Sequence, residues 1–222
     1  FDMINPDAER IMALEPTIIF VSSMTRDAAG RDPFKPFSSS GVLVLYIPVS
    51  ESLSAIQDDI TMIARVTGKA ETGKAVIETM NKEIRSITNI VQTIPSDERR
   101  TVVMEIGSAP AIYSFGRGVY LNELLETAGC TNIFANKDGW LAVNAEQIFE
   151  YNPDVILTNV PSDNPAAEIL SRSGWGNLTA VRNNRVYAID NATSSQPAPA
   201  VTQALKEIAH AVYPEWFPKE EP

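Results

Sequence analysis

The sequence predicts an α/β protein with parallel strands, organised as two lobes joined by one long helix. Short β-rich runs alternate along the chain with helical stretches, a pattern typical of parallel α/β units. The stretch Ala70 to Thr93 has apolar residues at steps of three and four without a break, and as a helix it would be about 36 Å long. Residues 8–20 and 145–157 both have the pattern of helix, proline-marked turn and strand, which two lobes of related architecture would produce.

Two helices and two strands are predicted before the long helix, together with a loop and a short helix within residues 22–40. A proline in the first turn opens the first helix, and Pro16 ends it. Gly68 ends the second helix, whose apolar residues share one face. These elements are a helix at 7–14, strands at 17–21 and 42–47, and a helix at 50–67.

Strands and helices continue to alternate beyond the long helix. Residues 107–118 are rich in Gly, Pro and Ser and are predicted to form a loop, and Trp140 is placed in a short loop before a helix. The predicted strands are 101–106, 154–158 and 185–189. The predicted helices are 120–128, 144–151, 165–171 and 199–213.

Composition excludes several classes of function. The 28 acidic residues outnumber the 18 Lys and Arg, and a net charge of -10 without a basic stripe disfavours nucleic-acid binding. One Cys and one His exclude an intrachain disulfide and a Cys/His zinc site. Cys130 is predicted to be a buried small hydrophobe, and His210 a helix-surface or packing residue. Because no catalytic or phosphate-binding motif is present, we expect no catalytic residue, no metal site and no intrinsic cofactor.

Five sequence blocks carry a family resemblance. They match in the expected order over nearly the whole chain, and only as a set are they specific. The blocks are residues 5–20, 118–134, 145–156, 183–189 and 209–217. On these residues the chain resembles the iron-siderophore, haem and cobalamin family of periplasmic binding proteins.

The resemblance implies a class III periplasmic-binding-protein fold, with two Rossmann-like lobes joined by one long helix. The N-terminal lobe would be residues 1–69, the connecting helix 70–94 and the C-terminal lobe 95–222. Family members normally begin with a strand and helix before the block that starts here at Phe1, so the N-terminal lobe is expected to be incomplete. An uncovered strand edge recruits other chains, which makes a dimer through this lobe an expectation.

The resemblance also implies a role in transport. The chain would be the extracytoplasmic substrate-binding component of an ABC importer, in the periplasm or as a cell-surface lipoprotein. It would carry an Fe(III)-siderophore or haem to the permease subunits and meet the membrane only through them or a lipid anchor. The family often docks through one Glu on each lobe, but Arg26-Asp27 and Ser194–Gln196 stand near those positions, so docking through that pair is not predicted.

Four alternatives stay open at this point, and one of them is an extracellular sensor module. Cobalamin is a ligand of the same family. A binder of bare zinc or manganese ions would need several His and carboxylate ligands, and the single His counts against it. A two-lobed Rossmann-like enzyme, such as a glycosyltransferase, would need a nucleotide-binding loop, which the motifs do not provide.

Ligands of open α/β sheets bind at loops beyond the carboxyl ends of the strands. Arginine offers a guanidinium fork to acidic oxygens, and aromatic rings offer flat faces to a catechol or porphyrin. The alternative to ligand binding is that the aromatic residues pack in the core and that Arg117 is a solvated charge. The candidate ligand-binding residues are Tyr113, Phe115, Arg117, Trp140, Met24, Thr25, Arg26 and Tyr46.

Overall fold

A computed structural model describes residues 7–28 and 32–218, with the side chains of 26–28 outside this description. The helices are α1 (Ala8–Met12), α2 (Ser23–Ala28), α3 (Lys35–Ser39), α4 (Leu53–Val66), α5 (Ala70–Val91), α6 (Tyr120–Thr127), α7 (Ala145–Tyr151), α8 (Pro165–Leu170), α9 (Thr179–Arg182), α10 (Asn191–Ser194) and α11 (Val201–Val212). The strands are β1 (Ile18–Ser22), β2 (Leu43–Ile47), β3 (Thr101–Glu105), β4 (Ile112–Phe115), β5 (Thr131–Asn132), β6 (Trp140–Val143), β7 (Val155–Thr158) and β8 (Val186–Ala188). Over the described ranges, no helix combines the length and the apolar character needed to cross a membrane.

The chain forms two compact units, one ending at Ser50 and one starting at Glu51. In the first unit, β1 and β2 pair in parallel, with Ile18 opposite Leu43. The side chains buried in its core are Ile11, Val21, Phe34, Phe37 and Val42.

The second unit contains a four-stranded parallel sheet in the order β5-β3-β7-β8. Alternate residues of β3 face opposite sides, because side chains of a strand alternate in direction. Val102 and Met104 pack in a cluster with residues of α5, α6 and α11, whereas Val103 packs with residues of α7, α8 and α9. Helices therefore cover both faces of the sheet, as parallel sheets require, and the predicted α/β class is confirmed.

Helix α5 is unbroken over 22 residues, about 33 Å at the standard rise. Its buried face includes Met80, Ile87 and Val91, at helical spacing. A Cβ at Gly73 would lie 2.4 Å from the Cβ of Ala64, so glycine lets α5 approach α4 closely. The predicted long helix is confirmed, while the lobe limits predicted at 69/70 and 94/95 stay a prediction.

The predicted loop at 107–118 is wrong in its second half. Residues 112–115 form β4, which pairs antiparallel with β6, and Trp140 is the first residue of β6 rather than part of a loop. Ile112 and Val143 lie opposite each other in this pair and both are buried. The pairing joins segments far apart in sequence, which explains why local composition predicted a loop.

Candidate functional site

The antiparallel pair of β4 and β6, called here the ribbon, carries three of the predicted site residues, Tyr113, Phe115 and Trp140, and a fourth, Arg117, follows β4. Beyond the strands, the Gly116 amide donates to the Gly139 carbonyl at 2.8 Å, and the Gly139 amide donates to the Arg117 carbonyl at 2.9 Å. A Cβ at Gly116 would lie 2.1 Å from the Lys137 carbonyl oxygen, so only glycine permits this contact between the two backbones. The ribbon is thus held tightly at the end that carries Arg117.

Three aromatic residues lie on one face of the ribbon, since their register pairs Tyr113 with Ala142 and Phe115 with Trp140. Tyr113 is 48% exposed and Trp140 is 53% exposed. Phe115 is completely buried, and its ring meets Trp140 edge to face with centroids 6.2 Å apart. The exposed rings offer a surface to a ligand, and Phe115 supports Trp140 from the core.

Arg117 is engaged by a carboxylate rather than free. Its Nε lies 2.5 Å from Oδ1 of Asp138 and its Nη2 lies 3.3 Å from Oδ2. Both side chains are largely exposed. The hydrogen bond between them raises the pKa of Arg117 and lowers the pKa of Asp138, so the pair stays doubly charged around neutral pH.

The remaining predicted residues belong to the first unit. Met24 in α2 is 63% exposed, and Thr25 beside it is buried. The side chain of Arg26 lies outside the described residues. Tyr46 in β2 is half-buried, and its hydroxyl donates to Oδ2 of Asp32 at 2.5 Å. That these residues share one ligand site with the ribbon stays a prediction.

A buried ion pair lies at the carboxyl end of β3, an edge where parallel sheets bind ligands. Both oxygens of Glu105 accept from the guanidinium of Arg172 at 2.7 Å, and Glu168 binds the same guanidinium from its exposed side. Burial acts to lower the pKa of Arg172, but the two carboxylates raise it overall. Arg172 also lies 4.5 Å from the ring centroid of Trp175, which is buried. This network ties the segment after α8 to the end of β3.

A second polar network follows β7. The amide of Asn159 donates to the hydroxyl of Ser194 at 3.0 Å, and the amide of Asn191 donates to the Asn159 carbonyl at 2.6 Å. The hydroxyl of Tyr120 donates to the Ser194 carbonyl at 2.7 Å. These bonds fix the loops at the carboxyl ends of β7 and β8.

The single Cys and the single His of the chain are both at least partly buried. Cys130 is buried as predicted, and burial raises the pKa of its thiol, so it is not an activated nucleophile. His210, in α11, is partly buried and its Nδ1 lies 2.6 Å from the Phe217 carbonyl. Within 7–28 and 32–218, no three His, Cys, Asp or Glu side chains are grouped so that they could hold a metal ion.

The family of the chain follows from sequence comparison. The periplasmic binding protein family matches residues 4–193. The chain belongs to this family. The family prediction is therefore confirmed, and with it the class III periplasmic-binding-protein fold.

Individual relatives extend the comparison. The uncharacterized ABC transporter substrate-binding lipoprotein YvrC of Bacillus subtilis (strain 168) is 28% identical over 96% of this chain and 67% of its own length. The molybdate-binding protein MolA of Haemophilus influenzae is 24% identical over 97% of this chain and 66% of its own length. A possible iron-binding (periplasmic solute-binding) protein from Staphylococcus epidermidis ATCC 12228 superimposes with a TM-score of 0.84 at 25% identity, over 96% of this chain and 82% of that one. The chain thus spans about two thirds of the length of these two curated relatives.

Sequence reasoning missed three charged residues of these sites: Asp138, Glu105 and Arg172. Asp138 and its partner Arg117 are 21 residues apart in sequence. Glu105 and Arg172 are separated by 67 residues. The one local signal of the buried ion pair is Glu105 itself, an acidic residue at the end of an apolar strand, because a buried carboxylate requires a partner.

Proposed function

We propose that this chain is the extracytoplasmic solute-binding component of an ABC importer and that it binds an iron complex, an Fe(III)-siderophore or haem. The observation that carries the proposal is the pair of exposed rings, Tyr113 and Trp140, on one face of the ribbon. Large exposed aromatic side chains on a fixed backbone are typical of ligand surfaces, because binding removes apolar area from water without ordering a loop.

The same surface supports a proposal about the size and shape of the ligand. Two ring faces beside an ion pair suit a ligand with flat, partly apolar faces and polar oxygens, as in a siderophore chelate or haem. A small tetrahedral oxyanion, such as the molybdate named for one relative, would need convergent free donors. The guanidinium of Arg117 is already held by Asp138. The ribbon therefore favours the larger chelate.

The proposed partners are the permease subunits of the importer. The iron complex would be released to them, and the protein would meet the membrane through the permease or a lipid anchor. We expect docking to use the loops around Ser194 and Ser195 in the second unit, because hydrogen bonds to Asn159 hold them in place. Docking through these loops does not depend on a Glu near Ser194.

Ligand titration tests the proposal. Tryptophan fluorescence would be followed while purified protein is titrated separately with a ferric trihydroxamate, a ferric tricatecholate, ferric citrate, haem, cobalamin and molybdate. We expect saturable binding of at least one iron complex with a single site, and recovery of the ligand unchanged. Binding of cobalamin or molybdate alone would show that the ligand assignment is wrong. Conversion of the ligand to a product would contradict a binding role.

A further inference from the structure

The ion pair between Arg117 and Asp138 bears on the charge of the ligand, and this inference rests on the function proposed above. We propose that Asp138 sets the charge preference of the site: by occupying the guanidinium of Arg117, it disfavours anionic chelates, and the site selects an uncharged or cationic iron complex. Asp138 would then be a specificity-determining residue, and its own exposed carboxylate oxygens would accept hydrogen bonds from the ligand.

The geometry of the pair supports this assignment. Asp138 engages Arg117 through both of its oxygens, at 2.5 and 3.3 Å, which is the two-point contact that an acidic ligand would otherwise make. Backbone pairing of 117 with 138 holds the two residues side by side in the free protein. An anionic ligand must therefore displace a carboxylate that is already attached, whereas an uncharged ligand need not.

The charged groups around the pair do not restore a basic site. Lys137 is the neighbouring cation, and its ammonium lies 5.4 Å from the ring centroid of Phe134. The chain as a whole carries a net charge of -10, so the long-range field repels anions rather than collecting them. Local pairing and overall charge thus favour the same class of ligand.

The aromatic residues supply the attraction that charge does not. Tyr113 and Trp140 present exposed faces on the same ribbon, and aromatic faces attract cations and apolar surfaces while their electron-rich centres repel anions. A ferric trihydroxamate, uncharged or cationic with an apolar exterior, fits these faces. A triply anionic ferric tricatecholate fits them less well.

The test compares two iron complexes against three variants. A ferric trihydroxamate and a ferric tricatecholate would be titrated into wild-type protein, Asp138→Asn, the double variant Arg117→Gln/Asp138→Asn, and Asp97→Asn. Asp138→Asn keeps the side-chain shape and removes the charge. Asp97→Asn makes the same change in net charge at an exposed site in the turn before β3, and so controls for long-range effects.

We expect the wild type to bind the trihydroxamate more tightly than the tricatecholate. Asp138→Asn should strengthen tricatecholate binding by about three- to tenfold, the effect of freeing one charged donor at an exposed site. The affinity of Asp138→Asn for the trihydroxamate should stay within about twofold of the wild-type affinity. The double variant should not gain affinity for the tricatecholate, because it lacks the guanidinium. Asp97→Asn should change neither affinity.

Three results would overturn the proposal. If both complexes bind but Asp138→Asn changes neither affinity, or if the wild type prefers the tricatecholate, Asp138 does not set the charge preference and the function proposed above stands. If none of the iron complexes named for the titration, haem and ferric citrate included, binds any folded variant, the proposed function fails and this inference fails with it. Circular dichroism of each variant would establish that it is folded.

Discussion

Phe115 and Trp140 face each other across β4 and β6 with ring centroids 6.2 Å apart and ring planes at 80°, yet Phe115 is completely buried and Trp140 is 53% exposed. The pair therefore joins the core of the second unit to its surface. A buried ring cannot change rotamer without disturbing its neighbours, so Trp140 rests on a fixed support. Such support limits the entropy that Trp140 loses when a ligand covers it.

Trp140 should be the residue that reports ligand binding. We expect Trp140→Phe to abolish most of the fluorescence change produced by an iron complex and to weaken its binding by roughly tenfold, the loss of about 1.4 kcal/mol of ring contact. Trp216→Phe is the matched control, because Trp216 is half-buried against the core. If the control removes the signal and Trp140→Phe keeps it, the ribbon is not the ligand surface.

Gly116 should be essential for the shape of the ribbon. In Gly116→Ala, the new Cβ would collide with the backbone carbonyl of Lys137, so β4 and β6 must separate at the end that carries Arg117. We expect a loss of stability of about 1–3 kcal/mol, the usual cost of overpacking, together with weaker ligand binding. Chemical denaturation and titration would measure the two effects.

Gly176→Ala provides the comparison for this experiment. No atom lies within 4 Å of a Cβ built at Gly176, and its backbone does not require glycine. The same chemical change should therefore leave stability and binding near the wild-type values. If Gly176→Ala lost as much stability as Gly116→Ala, the effect at Gly116 could not be attributed to its close contact with the Lys137 carbonyl.

Much of the fold could be predicted because its signals are local. The unbroken periodicity of α5 and the continuous apolar run of β3 both reflect which residues face the core. Helix ends were equally readable, as at Asn144, whose side chain forms a capping box with Gln147. In these cases neighbours in sequence determine the outcome, so the structure departs from prediction by only a few residues.

The site was harder to predict because its contacts are distant in sequence. Tyr113, Arg117 and Trp140 were predicted from residue type to bind the ligand, and the structure places them on or next to the ribbon, while their role stays a prediction. The strands themselves were missed, since each has four residues and gains stability only by pairing with the other. Composition likewise could not show that Asp138 occupies Arg117, and this pairing changes the expected ligand charge.

The ion pair of Glu105 and Arg172 should contribute strongly to stability. Glu105→Ala leaves a buried guanidinium without its main partner, and we expect a loss of about 3–5 kcal/mol in the free energy of unfolding. Glu168→Ala removes the exposed partner of the same guanidinium and should cost about 1 kcal/mol or less. Urea denaturation would measure both variants. Equal losses would indicate that Arg172 is not effectively buried.

Stability should fall at alkaline pH because of buried tyrosines. Burial raises the pKa of Tyr120 to about 12, from 10.0 in the unfolded chain, and burial raises the pKa of Tyr213 to about 12 as well. When folding raises the pKa of a tyrosine, the stabilisation is fully present below the pKa of the unfolded chain. This stabilisation is lost as pH rises towards the pKa of the folded state. The free energy of unfolding should therefore decline between pH 10 and about pH 12.

Tyr120→Phe isolates one contribution to this decline. The variant loses the hydrogen bond to the Ser194 carbonyl, so it starts less stable at neutral pH, but its stability should fall less steeply above pH 10. Tyr151→Phe, which changes a ring that is 40% exposed, serves as the control. The prediction fails if Tyr120→Phe has the same alkaline slope as the wild type.

The two units should differ in local stability. Val102, Val103 and Met104 of β3 are almost fully buried in a four-stranded sheet, whereas β1 lies in a two-stranded sheet and most of its residues are partly exposed. Protection from hydrogen exchange follows buried apolar packing and sheet pairing, and two-stranded sheets are marginal by themselves.

We therefore expect hydrogen-bonded amides of β3 and β7 to exchange at least about tenfold more slowly than those of β1 and β2. Mass spectrometry at two protein concentrations would also test the predicted dimer, because pairing through the edges of β1 or β2 would increase their protection as concentration rises. Light scattering would give the mass at each concentration. Equal protection of both units in a monomer would contradict the expected difference, since the first unit would then need no further contact for its stability.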